Sequence, residues 1–486
     1  MSYAAGSNRY LAFIKEATAG TTPATPTLKK IRNTGGNGIS NERSVLQSGE
    51  IRSDRGISDV RLGQNQPALS IPFEFSYESF DDLIAAAFGN RWKGGLSFTG
   101  TVACSGATVT HATSDWLALG FNVGDYIVVS DTTTVANNGV YKIKTITGTG
   151  SKVLTLDQAD GTTPASLTTG ATDSVVIRSG YKGGRVNTAT SGGNPITVAA
   201  TGKTYTAGTA LWITTLDLKV GDVVYFSGFA ETGNNGWKKV NTVTDTVLTV
   251  DQTCTNESKN TTTIDVGSAV GYLATGTSAD IQSFTIEEGF TNITQYHNIK
   301  GAKVDKFSIS CQPDKMIDGS FDILGTTYTN FAASSIATSL TEPNTNSPFD
   351  SYTGELSINN GAITESLAII SGMSLQISNG LSRRYPIMSE NASGLGEGRV
   401  NVTGSLNAFF ATSAALAGLF SDETEINAEL RLVDLDGNAY LIAIPKFKFT
   451  KDSRSISETD VTESLDFQAL IDSSNVTMSM LKQPVI

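Results

Sequence analysis

The chain has 486 residues, a formal charge of −12 and a hydrophobic share of 39%, with 48 glycines and only 12 prolines. That length exceeds one core and implies roughly three to four domains, while the turn-rich composition with ample Phe, Tyr, Val and Ile excludes a disordered chain and points to a mainly β one. The acidic balance excludes a protein that grips nucleic acid through clustered Lys and Arg.

Residues 41–61 alternate charge around isolated apolar side chains, too long for a hairpin turn and too charged for a core. This segment reads either as a solvated loop or, preferred because a long ordered loop usually has a role, as an interface arm whose Arg52, Asp54, Arg55, Asp59 and Arg61 pair with another subunit. Ile71, Phe73, Phe75 and Tyr77 then alternate with polar residues, the period of a strand with one buried face. Phe80, Leu83, Ile84, Ala87 and Phe88 follow at helical spacing, with Ser79 as the expected N-cap, Asp81 and Asp82 in the first turn and Gly89 as the stop.

The middle of the chain repeats itself. Val123-Gly124-Asp125 with Asn137-Asn138-Gly139 returns 97 residues later as Val220-Gly221-Asp222 with Asn234-Asn235-Gly236. Val153-Leu154-Thr155-Leu156-Asp157 recurs as Val247-Leu248-Thr249-Val250-Asp251, and a Trp precedes each copy (Trp116, Trp212). Such self-similarity predicts two copies of a small β module.

A fainter echo of the strand and helix lies 329 residues on. Val400, Val402, Gly404 and Leu406 stand where Ile71, Phe73, Phe75 and Tyr77 do, Phe409 matches Phe80, and the helix continues through Leu416, Leu419 and Phe420. Ser382-Arg383-Arg384 likewise echoes Ser53-Asp54-Arg55, which adds Arg383 and Arg384 to the arm residues. Alternating strands follow each helix, around Phe284, Phe307 and Phe321 in one copy and around Leu430, Phe449 and Phe467 in the other. The predicted organisation is nested: a first β domain at 1–94 plus 280–340, interrupted by modules at 95–182 and 183–279, and a second domain at 345–486 after the Pro- and Asn-rich join at 341–348. The insertion enters between a helix and a strand, where added chain costs little.

No catalytic constellation is found. His111 and His297 lack a nucleophile or metal-type partner in sequence and read as surface or interface residues, and Cys104, Cys254 and Cys311 read as reduced, scattered thiols. Asp81-Asp82 and Glu287-Glu288 read as solvated pairs. Gly202-Lys203-Thr204 lacks the first glycine of a phosphate loop and reads as a β turn, Gly394–Gly398 as a flexible loop, and Asp434–Gly437 as a hairpin turn. The N-terminus carries no signal sequence, and no apolar run approaches the ~20 residues that span a bilayer. The expectation is a non-enzyme without cofactor or metal.

Glu50-Ile51-Arg52-Ser53-Asp54-Arg55-Gly56-Ile57-Ser58-Asp59-Val60-Arg61, followed by Ile71-Pro72-Phe73-Glu74-Phe75-Ser76-Tyr77-Glu78-Ser79-Phe80, resembles the tail tube proteins of long-tailed bacteriophages (siphophages). So do Phe284-Thr285-Ile286-Glu287-Glu288-Gly289-Phe290 and the closing Met316-Ile317-Asp318-Gly319-Ser320-Phe321. The resemblance implies two tail-tube-type β-sandwich or barrel domains, each with a flanking helix, whose inner sheets join those of neighbours around a lumen. It implies trimeric or hexameric rings stacked into a tube in the virion, made in the host cytoplasm, with a long loop reaching the next ring. It also implies as partners the chain itself, a tape measure protein, and tail-terminator and distal tail proteins. DNA would pass an acidic lumen without tight binding, with the modules outside. The alternative is an adhesin-type protein using the two modules to bind host glycans.

Overall fold

The computed structural model describes residues 3–275, 282–358, 370–410 and 415–485, the side chains of residues 171 and 415–417 excepted. The expected boundary at 279/280 and the side chain of Leu416 therefore lie outside the described residues. The fold is mainly β, and the chain divides into two units. Met1–Arg91, Ala274–Leu435 and Ile442–Ser479 make the first; Trp92–Leu273, Asp436–Leu441 and Met480–Ile486 make the second.

The first unit is organised by a sheet of eight strands: β1 (Ser40–Gln47), β2 (Val60–Glu74), β3 (Gln295–Cys311), β4 (Asp318–Leu324), β5 (Ile370–Ser378), β6 (Asn401–Phe409), β7 (Ala439–Ile456) and β8 (Val461–Ala469). Antiparallel ladders join them in the order β1-β2-β4-β3-β5-β6-β8-β7. This is one four-strand pattern written twice and fused at β3–β5. A helix follows the second strand of each pattern: α1 (Asp81–Phe88) after β2 and α2 (Ala415–Ser421) after β6.

The buried face explains the pairing. Ile71, Phe73, Phe307, Ile309, Phe321 and Ile323 all point to one side, and Phe73 lies 4.5 Å from Phe80 and 4.8 Å from Phe321 between ring centroids. Each such ring contributes about 1.5–3 kcal/mol on burial. In the second pattern Leu406, Phe447, Phe449, Leu465 and Phe467 play this part, with Phe447 and Phe467 4.8 Å apart. Ser79 does not cap α1: Phe80 holds the N-cap position, and the Ser79 hydroxyl bonds Ser76 and Asn344, each at 2.6 Å. Gly89 does end the helix, with φ 64°.

Two glycines on this face are covered by a phenylalanine from the neighbouring strand, Gly319 by Phe73 and Gly404 by Phe467. A Cβ on Gly404 would stand 2.3 Å from the Ser374 carbonyl oxygen and 2.4 Å from the Phe467 ring. Gly404→Ala is therefore expected to cost about 1–3 kcal/mol, read as a drop in the urea midpoint at constant slope.

The second unit holds the two modules. Ser97–Gly106, Thr108–His111, Tyr126–Ser130, Gly139–Thr147, Val153–Gln158 and Leu167–Gly180 close a barrel around Trp116, while the second module's eight-stranded sheet packs its core around Trp212. The repeated motif is turn chemistry. Gly124 and Gly221 take left-handed φ (92° and 84°), and the carboxylates of Asp125 and Asp222 accept the amides three residues before them. Asn137 and Asn234 are fully buried: their side-chain oxygens accept the amides of Thr168 (2.7 Å) and Thr255 (2.8 Å), and their nitrogens reach Asp173 and Glu257. Asn234→Ala would leave the Thr255 amide without its acceptor, a loss of about 1–3 kcal/mol to be read from thermal denaturation.

The unit also draws in distant chain. Leu441 and Leu481 pack with Val270, Tyr440 lies 6.1 Å from Trp92, and Gln483 donates to Asp222 (3.1 Å). Gly202 and Lys203 form a tight turn with φ 86° and 54°, as expected. The Gly394–Gly396 segment, expected as flexible loop, instead pairs with Ser382–Arg384 as a hairpin in the first unit.

Candidate functional site: a polar face shared by both halves

Strand alternation that buries one face of the eight-strand sheet sends the intervening residues to the other. On that side Pro72, Ser308, Ser310, Asp318, Ser320, Ser374, Gln376, Thr403, Ser405, Asp466 and Gln468 line a groove of about 810 Å³ that crosses the β3–β5 fusion. Small hydroxyl residues dominate, and they pair across strands in both halves: Ser308 with Ser320 at 2.9 Å and Ser374 with Ser405 at 2.8 Å. Charges are mixed, with a small acidic excess: Glu42, Glu74, Asp318, Asp322, Asp466 and the neighbouring Glu425 stand against Lys306, Lys446, Lys448 and Lys451. Ion pairs hold Lys446 and Lys448 to Glu425 (2.7 and 3.7 Å) and Lys451 to Asp466 (3.7 Å). The −12 formal charge is thus not concentrated on this face. It offers hydroxyls, amides and locally neutralised lysines, a surface that hydrates well and presents no cationic strip.

The two halves repeat at the level of single residues. Both β3 and β7 carry a bulge, where Asp305 and Thr450 are skipped in the ladders to β4 and β8. Next to each bulge a lysine faces an aspartate that faces a serine: Lys306, Asp322 and Ser70 in one half; Lys451, Asp466 and Ser405 in the other. This sets the offset of the second strands at 335 residues, so that Leu406, not Val400, stands in the place of Ile71. The structural repeat thus differs by six residues from the 329-residue echo in the sequence.

The arm residues divide. Arg52, Asp54, Arg55, Asp59 and Arg61 are exposed on and beside the loop between β1 and β2. They bond each other: Arg52 holds Asp54 at 2.8 Å and Arg61 holds Asp59 at 2.8 Å. The Arg52 guanidinium and the Gly56 amide keep the Asp54 carboxyl below its usual range. What this arm leaves bare is apolar: Ile51 is 99% exposed, and Val45, Leu46, Ile57, Val60 and Leu62 are exposed with it. The charge pattern drew attention away from these residues, although all were visible in the sequence. Arg383 is not an outward arm residue. It is half-buried and donates to the carbonyls of Gly325 (3.2 Å) and Pro67, tying the second hairpin to the first half; Arg384 beside it is exposed.

The acidic pair and one histidine also lie elsewhere than expected. Glu287 and Glu288 are buried, not solvated, and His297 is buried on β3. Glu287 accepts bonds from Tyr10 (2.6 Å), Ser335 (2.6 Å) and the Ile336 amide (2.7 Å). Glu288 accepts from the Ile39 amide (2.8 Å), Arg9 and His297. Burial alone would raise the Glu288 pKa, but His297, the amide and Arg9 together hold it below the usual carboxylate range. His111 sits half-buried against Phe98 and Trp116, its Nδ1 accepting the Ser114 amide at 2.7 Å. These are structural networks around single carboxylates.

Among the described residues no group of three His, Cys, Asp or Glu side chains could hold a metal ion, and no helix is long and apolar enough to cross a membrane. A family model described as phage tail tube protein matches residues 6–469. No curated protein matches the chain.

Proposed function

Because the chain belongs to the phage tail tube protein family, we propose that it polymerises into stacked rings and that its polar sheet face lines the passage for the genome. Family membership makes it a structural protein of the virion tail that assembles with copies of itself and with other tail proteins. The observation that carries the finer reading is the run of eight strands, polar on one face, whose end strands β1 and the 447–456 stretch of β7 each have one ladder partner among the described residues. Such edges are liabilities in a monomer and are removed by closure into a ring.

Geometry favours three copies. Strands about 4.8 Å apart and tilted about 40° give 24 strands a backbone diameter near 48 Å, or roughly 37 Å between side chains. Two copies would leave about 20 Å, no wider than the duplex itself judged from its groove depths; four would leave a channel far wider than needed. The bore is weakly acidic and hydroxyl-rich, so phosphates meet neither a cationic trap nor an apolar wall. We place the tape measure, terminator and distal tail proteins among its partners, and the Arg52–Arg61 arm at contacts between rings.

Negative-stain microscopy of the purified chain tests this. Hollow filaments with a bore near the stated width are expected; monomers or flat lattices under all assembly conditions would overturn it. Ile51→Glu in the arm is expected to change unfolding free energy by less than about 0.5 kcal/mol, as for an exposed site, while shortening or abolishing filaments.

A further inference from the structure

The chain contains a finished joint between two tube-like halves, β3 against β5, and two unfinished edges, β1 and the 447–456 stretch of β7. Among the described residues β1 pairs only with β2, and that stretch of β7 only with β8. Since β1 and β5 open the two patterns and β3 and β7 close them, the finished joint is a template for the unfinished one. Resting on the tube reading above, we propose that β7 of one copy pairs antiparallel with β1 of a second copy in the register that β3 and β5 use within the chain.

The register follows from residues already placed. In the chain, Lys306 faces Ser378 and Ser308 faces Gln376. The matched bulges put Lys451 and Ser453 where Lys306 and Ser308 stand. Ser378 pairs with Asn401 and Glu42 with Gln66; Gln376 pairs with Thr403 and Ser40 with Ala68. At the 335-residue offset, Glu42 therefore replaces Ser378 and Ser40 replaces Gln376. Lys451 would face Glu42 of the second copy, an opposite-charge pair where the in-chain joint has Lys and Ser, and Ser453 would face Ser40.

An independent feature agrees that this edge is incomplete in the lone chain. α1 lies over the in-chain joint, with Leu83 to Phe88 all buried. Its counterpart α2 has Leu419 and Phe420 only half-buried, with Phe410 and Ile456 exposed.

Paired cysteines test the register, because opposed strand residues place Cβ atoms within disulfide reach. The variant Ser40→Cys/Ser453→Cys, assembled and then mildly oxidised, should give covalent dimers and larger closed species on non-reducing gels, absent from wild type and from either single variant. Lys451→Glu and Glu42→Lys should each raise the concentration needed for assembly about tenfold, and the double variant should restore it. Circular dichroism checks that each variant is folded as monomer. Filaments that form without the 40–453 crosslink, or charge variants without mutual rescue, would overturn the register while leaving the tube reading intact. Failure of wild type to form filaments would overturn both.

Discussion

Replacing Glu288 with leucine is expected to lower the stability of the first unit by about 3–5 kcal/mol, the cost of removing one member of a buried ionic network. The substitution strips Arg9 and His297 of their common acceptor and leaves the Ile39 amide unpaired. Urea unfolding followed by circular dichroism measures it, and a loss under about 1 kcal/mol would show that the network relaxes around the gap. The pH dependence has a definite sign. The Glu288 pKa is held below that of an unfolded glutamate, so its contribution is complete above about pH 4.3 and disappears as pH falls through the folded value. The difference between wild type and Glu288→Gln should therefore shrink on acidification below that point.

The second large effect concerns the inserted modules. A chain with residues 97–272 deleted and the ends rejoined is expected to give no cooperatively folded protein. The insertion is not a detachable appendage: the second unit also contains Asp436–Leu441 and Met480–Ile486. Leu441 and Leu481 lose Val270 and the Tyr181–Tyr272 stack if the modules go, and Gln483 loses Asp222. Exposing several large side chains at about 1.5–3 kcal/mol each is comparable to the whole stability of a domain. Soluble yield, near-ultraviolet dichroism and a melting curve decide it. A deletion chain that melts cooperatively would show that the modules are separable.

The chain's own pattern told much of this, unevenly. Period-2 alternation around Phe73, Phe307, Phe321, Phe449 and Phe467 announced strands with one buried face, and the Phe80–Phe88 spacing announced α1. The echo in the second half was found by order, yet its register slipped from 335 to 329 residues. A slip of an even number keeps every side chain on its own face, so hydrophobic alternation alone cannot detect it. What fixes the register is the bulge with its Lys–Asp–Ser row, which exists only once the ladders are formed. Glu287, Glu288 and His297 were misjudged for a related reason: the groups that make their burial tolerable, Arg9 and Tyr10, lie some 280 residues away in sequence. The polar face was legible in principle, since Ser308, Ser310, Ser374, Ser378, Thr403 and Ser405 recur at alternate positions of apolar strands. Without strand order, nothing showed that they share one surface. The arm's charges were conspicuous, but Arg52 is paired with Asp54 and Arg61 with Asp59 inside the arm, and its bare isoleucines carry the unmet demand.

Arg383 has a consequence of its own. Because it fastens the second hairpin to Gly325 and Pro67 of the same chain, the Arg52–Arg61 loop has no projecting counterpart in that hairpin. A three-copy ring would then present three projections to its neighbour, not six, despite a wall of near-sixfold character. Coupling along the filament would be sparser than coupling around it, giving stiff hoops joined by compliant hinges. Such a filament can flex along its length while its bore keeps a constant cross-section.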